Sequence, residues 1–241
     1  MPLYQKSDKN SIKNLFNNIY KIYDIANNIM SFGLQLTIKK QAVQNLSNYL
    51  KTFNLNQKDL KIADLCTGTG DMALILSQKF KNSTIIGFDF SENMLKIAKR
   101  KYSKIKSISF ENKDIMEMKE FENTFDICFI SFGLRNTVNI PESVRKIKSL
   151  LKKGGILCIL DLGHPVFPFN IFYFIYLNHI IPLIDKFIKD ENSPYKYLSK
   201  SIRDYPNQKK LIEILEQEGF SNVKNINLVF GSFGEQIATN L

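Results

Sequence analysis

The sequence predicts a doubly wound α/β fold, in which helices cover both faces of a mostly parallel sheet of about seven strands. Short apolar runs alternate with stretches of helical periodicity along most of the 241 residues, a pattern typical of parallel sheets. A glycine-rich turn at residues 68–70 joins the first apolar run of that series to the helix that follows it. The length suits one such domain and is short for two.

The elements are predicted from apolar periodicity and from the turn residues that separate them. Two amphipathic helices come first, at residues 11–30 and 37–52. Runs rich in apolar and β-branched residues predict strands at 61–66, 84–88, 107–110, 125–130, 155–160, 223–229 and 235–239. A helical spacing of apolar side chains predicts helices at 71–79, 92–102, 141–151 and 208–219.

One stretch departs from this alternation. Residues 166–184 read VFPFNIFYFIYLNHIIPLI, with six aromatic residues, and Pro168 and Pro182 interrupt them. Too few apolar residues remain in sequence to span a bilayer, which takes about 20. A buried crossover helix is one interpretation; a wall for an apolar ligand or an interfacial membrane contact is the other. The single domain therefore divides into a helical cap (1–55), a core with the glycine-rich turn (56–162), an apolar insertion (163–206) and a C-terminal helix with two strands (207–241).

The formal net charge of +10 raises the question of a polyanionic partner. Of the 33 basic residues only four are arginines, at positions 100, 135, 145 and 203. Because arginine supplies the bidentate contacts that phosphates favour, this composition argues against nucleic acid as a partner. A basic surface is also attracted to anionic lipid headgroups, and we expect a peripheral contact at the inner face of the cytoplasmic membrane.

The three cysteines, Cys66, Cys128 and Cys158, each fall in an apolar run that predicts a buried strand. Their spacing does not match a metal site, so we expect free thiols, no metal and a reducing compartment. The first 18 residues are polar and lack the pattern of a signal or transit peptide, so the expected location is cytoplasmic.

The glycine-rich loop, residues 64–71, reads DLCTGTGD. Gly68 and Gly70 let the backbone approach a ligand closely, and the amides that open the next helix offer donors to a carboxylate or phosphate. Gly68, Gly70 and Ala73 also match the dinucleotide fingerprint, with Asp89 about 20 residues further on to hold ribose hydroxyls. An NAD-dependent dehydrogenase is therefore an alternative.

Two further features favour a methyl donor. Asp64, at the end of the first strand, gives the pattern D-x-x-x-G-x-G, which resembles motif I of class I methyltransferases. In that class the loop faces the methionine moiety of S-adenosylmethionine instead of a pyrophosphate. After the third strand, the carboxylate of Asp114 can accept a hydrogen bond from the exocyclic amine of adenine while Ile115 packs on the ring. The sequence therefore favours a Rossmann-like, class I methyltransferase over a dehydrogenase.

Two blocks of sequence are more specific than the loop. Residues 23–33 read YDIANNIMSFG, and residues 130–136, directly after the fourth strand, read ISFGLRN. Over about residues 14–230 the chain resembles the ubiquinone/menaquinone biosynthesis C-methyltransferase family, which carries both blocks. The cofactor contacts implied by loop and resemblance together are Gly68, Thr69, Gly70, Asp89 at the ribose, Asp114 and Ile115 at the adenine, and Ser131 near the methionine end.

The resemblance also implies a substrate, a reduced benzoquinol or naphthoquinol with a polyprenyl chain. Methylating its ring requires removal of a hydroxyl proton, so the enzyme must position the ring and stabilise a phenolate-like charge. Arg135 is the candidate for stabilising that charge, with an ion pair at a helix start as its alternative role. Asp71 is a candidate general base acting through a water, and Tyr23 a candidate for orienting the hydroxyl. His164 and His179 are expected to pack or cap.

The chain departs from the family pattern at two places. Ile38 stands where the family usually has a tryptophan, and residues 231–241 lack its usual run of small apolar residues. A catalytically idle relative, or a methyltransferase for another small aromatic substrate, is therefore an alternative. An RNA methyltransferase would need an arginine-rich face, which the composition does not supply. A homodimer is a further alternative for any exposed apolar surface.

Overall fold

The protein is built on one seven-stranded sheet, seen in a computed structural model that describes residues 33–55, 57–175 and 201–241. The strands are β1 (Lys61–Leu65), β2 (Thr84–Asp89), β3 (Ile108–Asn112), β4 (Phe125–Ser131), β5 (Leu151–Leu162), β6 (Ser221–Leu228) and β7 (Phe233–Thr239). Their order is β3-β2-β1-β4-β5-β7-β6. The first five strands pair in parallel, and β7 lies antiparallel between β5 and β6.

The α-helices with described bounds are α1 (Gln35–Thr52), α2 (Asp71–Lys79), α3 (Glu92–Tyr102), α4 (Ile140–Leu150), α5 (Phe169–Ile175) and α6 (Gln208–Gln217), and residues 201–203 are helical as well. Buried side chains of α1, α2 and α3 share one apolar cluster on one face of the sheet. Those of α4 and α6 belong to a second cluster on the other face. The doubly wound α/β fold predicted from the sequence is therefore confirmed.

Helix α1 lies across the sheet and is fixed to it by both apolar and polar contacts. Its buried face includes Ile38, Ala42 and Leu46. Near its end, the hydroxyl of Tyr49 lies 2.8 Å from the hydroxyl of Thr239 on β7. Because the helix carries these contacts along its length, its first turn has a defined position over the sheet.

The structure differs from the predicted elements at a few points. Strand β5 begins at Leu151 instead of residue 155, because the exposed Lys-Lys-Gly of residues 152–154 conceals its start. Cys66 lies just after β1 with a φ of 55°, so it is not part of a buried strand, whereas Cys128 and Cys158 lie in β4 and β5 as predicted. All three thiols are free. The predicted helix at 11–30 lies outside the described residues.

The described part of the aromatic stretch does not bury its apolar side chains. Val166 and Phe167 are 68% and 76% exposed, and on α5 Phe174 is 62% exposed. Phe169 stacks on the exposed Phe230 in the turn between β6 and β7, with ring centroids 3.9 Å apart. For these residues the buried crossover helix is wrong. In the described ranges, no helix combines the length and the apolar character that a membrane span requires.

Candidate active site

A cleft lies at the carboxyl ends of β1, β2 and β4, where the strand order reverses. It contains about 700 Å³ of open space, and a hollow of about 330 Å³ continues it. Residues that wall the larger part include Cys66, Phe88, Asp89, Phe90, Asp114, Ile115, Met116 and Asn136. Residues that the smaller part adds include Gly68, Met94 and Phe132. Doubly wound sheets bind their ligands at this position.

The glycine-rich loop is folded tightly against the sheet. The amide of Thr67 donates to the carbonyl of Phe88 at 2.9 Å, and the amide of Gly70 donates to the carbonyl of Thr67 at 3.0 Å. Gly70 has a φ of 87°, and a Cβ there would lie 2.8 Å from Phe110 and 2.9 Å from Tyr102. Only glycine fits both the conformation and the space. Gly68 borders the cleft, and Thr69 is buried.

Asp89 is the carboxylate at the centre of the cleft wall. Its Oδ2 accepts from the amide of Gly68 and its Oδ1 from the amide of Ser91, both at 2.8 Å. Burial raises the pKa of this carboxyl to about 6. The charge of Asp114 also raises it, whereas the hydrogen bonds from the two backbone amides lower it. Through the first of these bonds Asp89 joins the glycine-rich loop to the end of β2. Asp89 also lines both parts of the cleft, where ribose hydroxyls could reach it.

Asp114 and Ile115 face the cleft together, as the adenine prediction requires. The Oδ1 of Asp114 accepts from the amide of Met116 at 2.8 Å and so caps a short 3₁₀ turn, Ile115–Glu117. Phe90 and Met116 complete a largely apolar surround that suits a flat ring. The contact with adenine itself stays a prediction.

Acidic side chains outnumber basic ones in the wall of the larger part of the cleft, where Asp89, Asp114 and Glu142 stand with Lys113, although the chain as a whole is strongly basic. Burial raises the pKa of the Cys66 thiol well above its ordinary value, and the charges of four carboxylates, Asp89, Asp114, Asp64 and Asp161, raise it further. A sulfonium cofactor with an α-ammonium group suits such a site, whereas the two phosphates of a dinucleotide would be repelled. The residues present therefore fit S-adenosylmethionine better than NAD.

Asp64, the acid before the loop, is fully buried beneath it. Its Oδ2 accepts from the hydroxyl of Thr67 at 2.5 Å. Burial raises the pKa of Asp64 to about 7, although the Thr67 hydrogen bond and the charge of Lys39 favour the ionised form. This carboxyl can therefore change its protonation state near neutral pH.

Arg135 lies in a buried ion pair. Its Nη1 is 2.5 Å from Oδ1 of Asp161 on β5 and donates to the carbonyl of Phe132 at 2.8 Å. The side chain is 3% exposed, and Arg135 is absent from the residues that line the cleft. This is the alternative role named from the sequence, an ion pair at the start of a helical turn, here Leu134–Asn136. A role in stabilising a phenolate stays a prediction.

The other predicted catalytic residues are less central. The Oδ1 of Asp71 accepts from Nζ of Lys101 at 2.9 Å and from the hydroxyl of Tyr102 at 2.8 Å. Burial opposes ionisation of Asp71, but Lys101, Lys39 and Tyr102 outweigh it and lower the pKa. A lowered pKa makes this carboxylate a weak base at neutral pH. Ser131 ends β4 without lining the cleft, and Tyr23 lies outside the described residues.

Several cleft residues were not predicted from the sequence. Asn136 lines both parts of the cleft, and its Nδ2 donates to the carbonyl of Phe132 at 3.2 Å. Both residues belong to the ISFGLRN block, so the block itself was the signal.

His164 packs as expected, with Nε2 3.0 Å from the carbonyl of Tyr205. His179 lies outside the described residues.

The chain is similar to known proteins both in sequence and in fold. The chain is 31% identical over 221 residues to demethylmenaquinone methyltransferases of Staphylococcus aureus strains JH9 and Newman, which covers 91% of this chain and 88% of theirs. A SAM-dependent methyltransferase structure from Aquifex aeolicus superposes with a TM-score of 0.58 at 17% identity, covering 84% of this chain and 98% of that one. A possible histamine N-methyltransferase from Thermotoga maritima gives 0.65 at 14% identity, covering 95% and 100%.

The two solved structures share the fold, which confirms the predicted class I architecture. Residues 4–240 match the sequence model of the ubiE/COQ5 methyltransferase family. The match spans nearly the whole chain, and it confirms the predicted reaction class, methyl transfer, and the predicted cofactor, S-adenosylmethionine. The chain belongs to the ubiE/COQ5 methyltransferase family.

Proposed function

We propose that this chain methylates a ring carbon of a polyprenylated quinol in respiratory quinone biosynthesis, with demethylmenaquinol as the first substrate to test. The observation that carries the proposal is the placement of two unlike surfaces at one edge of the sheet. The cleft, with the carboxylates of Asp89 and Asp114 in its wall, lies at the carboxyl ends of β1, β2 and β4. The exposed apolar surface around Phe167 and Phe230 follows the ends of β5 and β6 at the same edge.

Such an arrangement suits a substrate with a small polar ring and a long apolar tail. The ring can enter beside the cofactor while the tail remains on the apolar surface. The relatives at 31% identity are named as demethylmenaquinone methyltransferases, which favours a naphthoquinol ring. A benzoquinol has the same two-part character, so both rings belong in the test.

S-adenosylmethionine supplies an electrophilic methyl group. The residues of this chain bind and orient the reactants and exclude water from them. Asp89 and Gly68 hold one side of the cleft through their 2.8 Å hydrogen bond. Arg135 remains our candidate for stabilising the quinol's negative charge, because its guanidinium carbon lies 5.8 Å from the ring of Phe132, which lines the smaller part of the cleft. In its pair with Asp161 it also fixes the turn that carries Asn136 into the cleft.

The apolar surface also supports a peripheral contact with the cytoplasmic membrane, where a polyprenylated quinol dissolves. Val166, Phe167, Phe174 and Phe230 are each more than 60% exposed, and the chain carries a net charge of +10. Exposed apolar side chains on a chain of positive net charge suit binding to an anionic membrane surface. A homodimer through this surface is the alternative. Sedimentation with anionic vesicles tests the membrane contact and sedimentation velocity without vesicles tests the dimer, each for the native chain and for Phe167→Ser with Phe230→Ser.

The function is tested by incubating the protein with methyl-labelled S-adenosylmethionine and a reduced quinol, then counting label in the extracted lipid. One arm uses demethylmenaquinol and the other the demethylated methoxy-benzoquinol. Label in either arm that is lost in Asp89→Asn supports the proposal and identifies the ring. Cofactor binding without transfer in both arms contradicts it and favours the idle relative.

A further inference from the structure

Gln208 is the first residue of α6, and its side-chain amide lies between two segments of backbone at the carboxyl edge of the sheet. Its Oε1 accepts from the amide of His164, just beyond β5, at 3.2 Å. Its Nε2 donates to the carbonyl of Gly231, in the turn between β6 and β7, at 3.0 Å. Both partners are backbone groups with fixed donor and acceptor roles, so the amide has one orientation. Gln208 therefore joins the start of the apolar insertion to the β6–β7 turn.

The amide of Gln208 is enclosed as well as hydrogen-bonded. A Cβ at Gly163 would lie 2.6 Å from Nε2 of Gln208 and 2.5 Å from the carbonyl oxygen of Gly231. A Cβ at Gly234, on β7, would lie 3.1 Å from Cγ of Gln208. Nε2 also lies 3.4 Å from Oδ1 of Asn227 on β6. Because its neighbours are this close, the amide holds the two segments at a fixed separation.

The turn that Gln208 contacts has a backbone conformation that needs support. Val229 and Phe230 have φ values of 47° and 55°, which β-branched and bulky residues rarely adopt. Such conformations persist where surrounding contacts enforce them. Two backbone hydrogen bonds contribute here: the amide of Ser232 donates to the carbonyl of Val229 at 3.0 Å, and the amide of Gly163 donates to the carbonyl of Ser232 at 2.8 Å. Removing the bond from Gln208 should therefore loosen the turn.

The conformation of this turn decides where the ring of Phe230 lies. Phe230 is 64% exposed and stacks on Phe169 of α5, with 3.9 Å between the ring centroids and 9° between the ring planes. We call these two rings the aromatic pair. Phe169 follows His164 by five residues, so Gln208 holds the backbone near both rings.

The aromatic pair lies close to the cleft. Phe132 lines the smaller part of the cleft, and its ring packs edge-on against the buried ring of Phe233, with centroids 6.1 Å apart. Phe233 begins β7 three residues after Phe230, which separates their Cα atoms by at most about 11 Å. An apolar chain attached to a ring in the cleft therefore has a short distance to cover before it reaches the aromatic pair.

We propose that Gln208 is a positioning residue for the substrate: its amide holds the aromatic pair beside the cleft, and the pair binds the first part of the polyprenyl tail. The inference rests on the part of the proposed function that makes a polyprenylated quinol the ligand. Gln208 lines neither described part of the cleft. Changes at Gln208 should thus alter how the tail binds and leave the binding of the ring and of S-adenosylmethionine unchanged.

Gln208→Glu tests the donor of this amide with a side chain of the same size. A carboxylate still accepts from the amide of His164, but it sets an oxygen against the carbonyl of Gly231 in place of a donor. An acidic residue suits the first turn of a helix, so α6 itself should lose no stability. Gln217→Glu, at the exposed last residue of α6, adds the same charge and is the matched control.

Calorimetric titration in the presence of S-adenosylhomocysteine, without vesicles, measures the Kd of two ligands. One is demethylmenaquinol with a tail of a few isoprene units, and the other is the same ring without a tail. The native chain should bind the tailed quinol more tightly. Gln208→Glu should weaken that binding about tenfold, the effect of one lost hydrogen bond, and leave the Kd of the tailless ring unchanged. In methyl transfer the same variant should raise KM for the tailed quinol and keep kcat.

A second readout needs no substrate. The chain has no tryptophan, so Phe230→Trp places a single fluorophore in the aromatic pair. Combining it with Gln208→Glu should make acrylamide quench its emission more strongly, whereas combining it with Gln217→Glu should not. Gly163→Ala displaces the same amide from the other side, and it takes the place of Gln208→Glu in both measurements if that variant does not fold.

Equal Kd values of the tailed and tailless rings for the native chain would overturn the proposal and leave the exposed surface to the membrane or to a second copy. So would a loss by the same factor for both ligands in Gln208→Glu, because general damage to the site has that signature. Unchanged binding together with unchanged quenching would show that Gln208 does not hold the aromatic pair. A native chain that prefers the tailed quinol but transfers no methyl group would contradict the proposed function and leave this inference standing.

Discussion

Asn45 on α1 donates a 2.7 Å hydrogen bond to Oε2 of Glu235, a fully buried carboxyl group on β7. The other oxygen of Glu235 accepts from Sγ of Cys158 at 3.5 Å. The acid stands in the C-terminal segment where the family usually has small apolar residues. It thus joins helix and sheet through a polar contact, at the expense of burying an ionisable group.

Glu235→Gln should stabilise the protein at high pH. Burial raises the pKa of Glu235 from an ordinary 4.5 to about 7, despite Asn45, Cys158 and Lys224. The folded chain then holds this proton more tightly than the unfolded one, so stability falls as pH rises from about 4.5 to about 7. The glutamine escapes that loss, and we expect a gain of about 1–3 kcal/mol at pH 8 and little change near pH 4.5.

Urea unfolding at both pH values measures the effect, with the exposed Glu216→Gln as control. A gain for Glu235→Gln of the same size at pH 4.5 and pH 8 would show that ionisation of Glu235 is not the cause.

Cys66 should report occupancy of the cleft. It is the cysteine that lines the cleft, whereas Cys128 and Cys158 are fully buried. Its raised pKa makes alkylation slow at pH 7 and faster as pH rises, because the thiolate is the reactive form. S-adenosylhomocysteine at ten times its Kd should slow modification about tenfold. Mass spectrometry of iodoacetamide-treated protein measures the rate, and an unchanged rate would place the ligand elsewhere.

Gly70→Ala should disrupt the loop more than an equivalent change elsewhere. At Gly70 a Cβ would meet the rings of Phe110 and Tyr102 within 2.9 Å, in addition to the strain of a φ of 87°. Gly154 has a similar φ of 79°, and a Cβ there would have nothing within 4 Å. Gly154→Ala therefore measures the cost of the backbone conformation alone. We expect a loss of about 1 kcal/mol for Gly154→Ala. Gly70→Ala should lose about 1–3 kcal/mol more.

Thermal unfolding and cofactor titration would compare the two variants. Equal losses of stability, with cofactor binding retained in both, would mean that the loop yields to the extra methyl group.

The regular elements were predictable because their signals are local. Helix α3 begins after Ser91, whose hydroxyl caps the amide of Met94, and its predicted and observed bounds agree. The placement of β7 between β5 and β6 was not predictable, because β5 is far from β7 in sequence and their pairing leaves no local pattern. The start of β5 was missed for a different reason, since exposed lysines resemble a turn.

The residues of the site also divide into those that the sequence could predict and those that it could not. Asp89 ends β2 and Asp114 follows β3, each at a recognisable spacing, and both line the cleft. The pairing of Arg135 with Asp161 spans 26 residues and depends on how β4 lies beside β5. Lys39 is one lysine among many in the sequence, and no local pattern indicates that it is only 8% exposed on α1. Motifs therefore identify residues that touch the ligand, and the structure is needed for the residues that act on them.

The pair of Arg135 and Asp161 allows structure and catalysis to be separated. Either Asp161→Leu or Arg135→Met alone leaves an unpaired buried charge and should cost about 3–5 kcal/mol. The double variant removes both charges and should recover most of that stability. If the guanidinium stabilises the quinol's negative charge, the double variant still binds S-adenosylmethionine but transfers methyl about 10²-fold more slowly. Recovery of both stability and methyl transfer in the double variant would instead mean that the pair only holds the turn at Leu134–Asn136 in place. The group that stabilises the charge would then have to be one of the residues that line the cleft.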